Sequence, residues 1–163
     1  MPRLEGGTHV NLTVADIERS SPWYRKVFGF VVVNDVRPPG AGFRFQTLLD
    51  PRSLSSVVLG QPDDAADGPF DETRIGLHHL GYHVPERSDL VDWAAHFDAL
   101  GVAHSGVREH GHESGAEIWF RDPDNIFLEI SWVNRAFFME RLRQRWREAR
   151  RSGRREGWLS PEA

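Results

Sequence analysis

The sequence predicts an α+β fold of two tandem βαβββ modules, and three observations predict it. "HVNLTVAD" from His9 recurs as "HLGYHVPE" from His79, seventy residues later, so a repeated unit is present. Each copy runs into a helix-like stretch with a matched tryptophan, Trp23 or Trp93. Each stretch closes on a glycine, Gly29 or Gly101, the residue type that ends helices in the left-handed conformation. Asp50-Pro51 and Asp122-Pro123 then turn the chain into a later strand of each unit. One strand, one helix and about three further strands per copy imply two sheets curving around a shared polar cup.

The first module spans about 7–62. Its opening strand alternates, with Val10, Leu12 and Val14 beneath the helix and His9, Asn11 and Thr13 facing away. Ser20 or Ser21 is the expected cap of the following helix, with Pro22 in its first turn. The second module spans about 75–133. Alternation across "LHHLGYHV" puts His79, Gly81 and His83 on one face and His78, Leu80, Tyr82 and Val84 on the other. His78 is thereby expected in the packing under a helix, for which Ser88 is the expected cap. His96 and His104 read as surface or helix-packing residues. The final strand has Ile126, Leu128 and Ile130 on one side and Phe127, Glu129 and Ser131 on the other.

Residues 1–133 thus form the expected domain, and residues 134–163 a basic C-terminal helix and tail. Phe137, Phe138, Leu142 and Trp146 recur at roughly helical spacing, predicting a helix from about Ala136 to Arg151. It is expected to pack on its own domain or on a dimer mate; a lid bearing Trp158 is the alternative. The tail carries nine Arg against four acids, the remainder 11 basic against 20 acidic residues. That balance does not resemble a nucleic-acid footprint for the domain. No apolar run is long enough to span a bilayer, and "MPRLEGGT" has no signal-peptide core. With no cysteine there are no disulfides or thiolate ligands, and a cytoplasmic location is expected.

A lone carboxylate on a central strand is costly to bury unless a cation pairs with it. His9, His79 and Glu129 would supply two imidazoles and one carboxylate from three strands. That donor set suits Fe(II) or Mn(II) with open positions for substrate.

"HVNLTVADIERSSPWYRKVFGF", "GLHHLGYHV" and "FRDPDNIFLEI" together resemble the vicinal oxygen chelate superfamily: glyoxalase I, bleomycin-resistance proteins, fosfomycin-resistance enzymes and type I extradiol dioxygenases. The resemblance covers about residues 7–133 and implies that fold, a homodimer and a divalent metal on His9, His79 and Glu129. Fe(II) is the leading metal, with Mn(II), Zn(II) or Ni(II) as alternatives. Glyoxalase-like isomerases usually place a further Glu on the last strand of the first module, where the best-matched residue is Leu59. The stretch from His112 through Trp119, Asp122-Pro123 and Glu129 resembles an extradiol pattern, with Trp119 in place of Tyr and Asn125 in place of Gly. The implied activity is ring cleavage of a small catechol-like aromatic with Fe(II) and O₂. His112, His110 and His83, in that order, are the candidates to contact substrate and move its protons. A glyoxalase-like isomerase, a fosfomycin-type thiol transferase and a metal-free drug-binding protein of the bleomycin-resistance type are the alternatives.

Overall fold

Polar side chains decide where the helices begin, and they begin earlier than Ser20, Ser21 or Ser88 would set them. Asp16 caps the first helix by accepting from the Glu18 N–H, and Glu86 with Asp89 forms a reciprocal capping box on the second. Ser20 and Ser21 are instead buried inside the first helix, and Pro22 lies in its second turn. Both helices end on left-handed glycines, Gly29 and Gly101, as expected.

The structure, a computed structural model, describes residues 9–64, 68–111 and 114–152. In chain order these form β1 (His9–Thr13), α1 (Ile17–Phe28), β2 (Val31–Val36), β3 (Phe43–Leu49) and β4 (Ser56–Pro62). Then come β5 (Leu80–His83), α2 (Arg87–Leu100), β6 (Arg108–Glu109), β7 (Gly115–Arg121), β8 (Phe127–Val133) and α3 (Arg135–Ser152). The repeat is reproduced in topology: one sheet is ordered β1-β4-β3-β2 and the other β5-β8-β7-β6. In each, the first strand pairs in parallel with the last, and the remaining pairs are antiparallel.

The two modules share one hydrophobic core. Leu12, Val14, Leu48, Val57 and Leu59 from the first sheet join Ile118, Phe120, Leu128 and Ile130 from the second, together with Tyr24, Val27, Leu90 and Phe97 of the helices. Rings stitch the modules together: Trp23 stacks on Phe120 at 6.3 Å, and Phe28 meets Tyr82 at 4.9 Å and Trp93 at 5.8 Å. A polar clamp fixes α1 to the β7–β8 turn. Tyr24 Oη donates to Asp122 Oδ2 at 2.9 Å, while Ser20, Arg19 and the Ala15 N–H all donate to Asp124. Burial pushes the Asp122 carboxyl up to about 6, despite donation from Tyr24 and from the Asp124 and Ile126 N–H groups. Asn125 completes the turn at φ 65°, a left-handed position that asparagine tolerates.

This packing joins the helix-covered faces and leaves both polar faces outward: His9, Asn11 and Thr13 on one sheet, and His79, Gly81 and His83 beside or on the other, are all exposed. α3 spans one residue more at each end than its periodicity suggests, and Phe138, Met139 and Leu142 on it remain exposed. Trp158 lies outside the described residues. Among the described residues, no helix is long and apolar enough to cross a membrane.

Candidate functional site

Glu129 stands at the centre of the second polar face. Its core-facing neighbours Leu128 and Ile130 anchor β8, so alternation turns the carboxylate outward. Gly81 on β5 and Trp119 on β7 flank it in register. A Cβ at Gly81 would stand 3.5 Å from Glu129 Oε1, so the glycine keeps that flank open. His79 lies one residue before β5 and brings its Nε2 to 3.6 Å from Glu129 Oε2, with side-chain exposures of 39% and 16%. That gap is too long for a hydrogen bond. It approaches the roughly 3.0–3.4 Å between two ligands held about 2.1 Å from one ion.

The other nitrogen of His79 is held by a residue that strand alternation misplaced. His78 Nδ1 lies 2.8 Å from His79 Nδ1, and both rings pack against Phe127. β5 begins at Leu80, so alternation does not reach His78, which stays exposed instead of entering the helix packing. A ligating histidine donates its second ring N–H to an orienting group, and His78 is placed to accept it. The residues present therefore fit a divalent ion at two positions of this chain, with His79 and Glu129 as nitrogen and oxygen donors.

His9 does not join them. Among the described residues, no three His, Asp or Glu side chains lie close enough to hold a metal, so the expected three-ligand cup within one chain is not formed. The reason is the shared core, which fuses the covered faces and leaves His9 on the outward face of the other sheet. There His9 lies beside Ser56 in register. Leu59, the position matched to a fourth ligand, is fully buried under α1. Neither Ser56 nor Leu59 is a carboxylate. The same face carries an apolar wall. Phe43 and Phe45 stack 5.5 Å apart, and the Phe45 ring covers Gly60, where a Cβ would come within 3.1 Å.

One step along the strands from Glu129 lies a second polar row. His83 Nδ1 is 3.0 Å from Ser131 Oγ, and Ser131 pairs in register with Glu117. Glu117, nearly buried, holds His110 Nε2 at 2.6 Å through its Oε2. His83 and His110 therefore both lie on the row beside Glu129; His112 lies outside the described residues. His96 bonds the Val27 carbonyl and His104 bonds Asp98, both structural contacts. Two arginines border the site. Arg121 packs over Phe127 and bonds Glu72, whose carboxyl its guanidinium holds down at about 2. Arg108 packs over Trp119 at 4.2 Å. Glu117, His78 and Arg108 were missed in the sequence because their roles depend on cross-strand register and on where β5 starts.

The family model described as Glyoxalase/Bleomycin resistance protein/Dioxygenase superfamily matches residues 7–130. The chain belongs to this superfamily, the vicinal oxygen chelate proteins. It is similar to a glyoxylase/bleomycin resistance protein/dioxygenase domain from Frankia sp. EAN1pec, with 33% identity over 82% of this chain and 95% of that one, TM-score 0.72. The fold is also shared with the fosfomycin resistance protein FosX from Listeria monocytogenes, at 16% identity over 82% and 98% of the chains, TM-score 0.60. A lactoylglutathione lyase from Agrobacterium tumefaciens matches at 17% identity over 80% and 96%, TM-score 0.60.

Proposed function

We propose that this chain is a divalent-metal-dependent enzyme acting on a small oxygen-chelating aromatic, with each site shared between two copies. The carrying observation is the approach of His79 to Glu129 across Gly81, with His78 set to orient the imidazole. His9, on the matched face of the other module, is the third ligand and comes from the second copy of a homodimer. In that arrangement the outward face of β1, β4 and β3 closes over the outward face of β5, β8 and β7. The stacked Phe43 and Phe45 then form an aromatic wall opposite the carboxylate.

Extradiol cleavage of a small catechol is the reaction we assign. When bound, Fe(II) would supply Lewis acidity, a template for both catechol oxygens and O₂, and an electron path. His83, steadied by Ser131, holds or takes a catechol proton within the cup. His110, with Glu117 behind it, serves as a second proton-handling group on the same face.

Anaerobic reconstitution with Fe(II), followed by exposure of a catechol panel to air, tests this reading. Yellow ring-opened product is expected from at least one catechol; none across the panel refutes the dioxygenase assignment. Metal content after dialysis separates that outcome from failure of the metal site itself.

A further inference from the structure

Resting on the metal-site reading, we propose that Arg108 anchors a carboxylate of the substrate, so that the site takes small aromatic acids in preference to neutral catechols. Arg108 on β6 pairs in register with Glu117, so a cross-strand ion pair is the default expectation. It is not formed. Glu117 is committed to His110, and the Arg108 guanidinium instead lies over the Trp119 ring. Among the described residues no carboxylate pairs with it. Trp119 is the direct cross-strand neighbour of Glu129, so this cation lies over the residue beside the candidate metal ligand.

A guanidinium held over an indole by its cationic carbon makes no hydrogen bond to the ring plane, so its N–H fork is available to match the two oxygens of a carboxylate. The indole also restrains a side chain that would otherwise lose rotamer freedom on binding. The second arginine bordering the site supplies the contrast. Arg121 is likewise packed over a ring, Phe127, but its N–H groups are taken by Glu72 and the Asn125 carbonyl. Arg121 therefore bounds the site, and of these two arginines Arg108 is the one with no carboxylate partner among the described residues. A substituent carried along this face from an ion at Glu129, past Trp119, would meet Arg108.

Calorimetric titration of the full chain tests the assignment, with 3,4-dihydroxybenzoate and catechol as probes. Wild type, Arg108→Gln and Arg108→Lys are each titrated in Zn(II)-loaded form and after chelator treatment. Wild type is expected to bind the benzoate roughly 10- to 100-fold more tightly than catechol, the range for hydrogen bonds to a charged group. Arg108→Gln should reduce that preference to about twofold with catechol affinity unchanged. Arg108→Lys should keep an intermediate preference, since a point charge lacks the fork. Retention of the full preference in Arg108→Gln, equal weakening of both probes, or no carboxylate preference in wild type each overturns the assignment. Glu129→Ala separates it from the metal reading: that variant should lose the Zn(II)-dependent gain for both probes and keep the carboxylate preference.

Discussion

Tyr24→Phe removes one hydroxyl from a fully buried ring and leaves its packing in place. The lost group is the donor to Asp122 Oδ2, 2.9 Å away, in the clamp between α1 and the β7–β8 turn. Asp122 is itself nearly buried, at 6% exposure, so no water replaces the donor. At pH 7.5 the carboxyl, with its pKa near 6, is ionised. The loss is then that of a hydrogen bond to a buried charge, about 1.5–3 kcal/mol. At pH 4.5 the group is protonated, and a neutral bond of about 0.5–1.5 kcal/mol is lost instead. The variant should therefore be less stable than wild type by about 2 kcal/mol at pH 7.5 and by about 1 kcal/mol at pH 4.5. In melting temperature the former is roughly 4–8 °C for a chain of this size. Urea unfolding at both pH values, followed by circular dichroism, measures the two differences. A loss below about 0.5 kcal/mol at pH 7.5, or an equal loss at both, would show that Asp122 is not ionised and supported by Tyr24.

Asp122 also governs a pH window. The native chain holds its proton up to about pH 6, whereas an unfolded aspartate releases it near 3.9, so this group's stabilisation declines as pH rises through that interval. Asp122→Asn should remove that decline, seen as a flatter stability profile between about pH 4 and 6. Glu129→Ala should cost at least tenfold in metal affinity, measured by elemental analysis after dialysis against graded chelator; unchanged retention rejects the site. Mixing His9→Ala with Glu129→Ala chains after brief unfolding should restore metal binding to about half of the mixed dimers' sites, because one site then contains only native ligands. No restoration refutes the shared-site arrangement. Gly115→Ala should cost roughly 1–3 kcal/mol, because a Cβ there would come within 2.6 Å of the Trp132 carbonyl oxygen and 3.3 Å of His110 Nδ1. Wild-type stability of that variant would argue that the end of β7 can move away.

Alternation and repetition are local properties, and the sequence alone determined what they control. The period-two pattern placed Leu12 and Val14, and likewise Leu128 and Ile130, in the core, and turned His9 and Glu129 outward. The repeat at His9 and His79 predicted two βαβββ units, which the structure forms as two sheets of matching strand order, and the glycines marked both helix ends. Helix starts were less legible, because Asp16 and Glu86 compete with nearby serines and only the bonds they make decide between them. His78 was misplaced for a similar reason: alternation applies only within a strand, and β5 starts two residues after it.

Tertiary structure alone decided which faces meet. Trp23 on Phe120 and Tyr24 on Asp122 join the covered faces into one core, so His9 remains on the opposite sheet from the β5–β8 pair that brings His79 to Glu129. Register alone placed Arg108 opposite Glu117, and the competing bond from His110 left its guanidinium over Trp119. Periodicity tells each residue which face it occupies. It carries no information about which face of the molecule that one will meet, since burial is non-directional and the partner is chosen by the summed packing of distant segments.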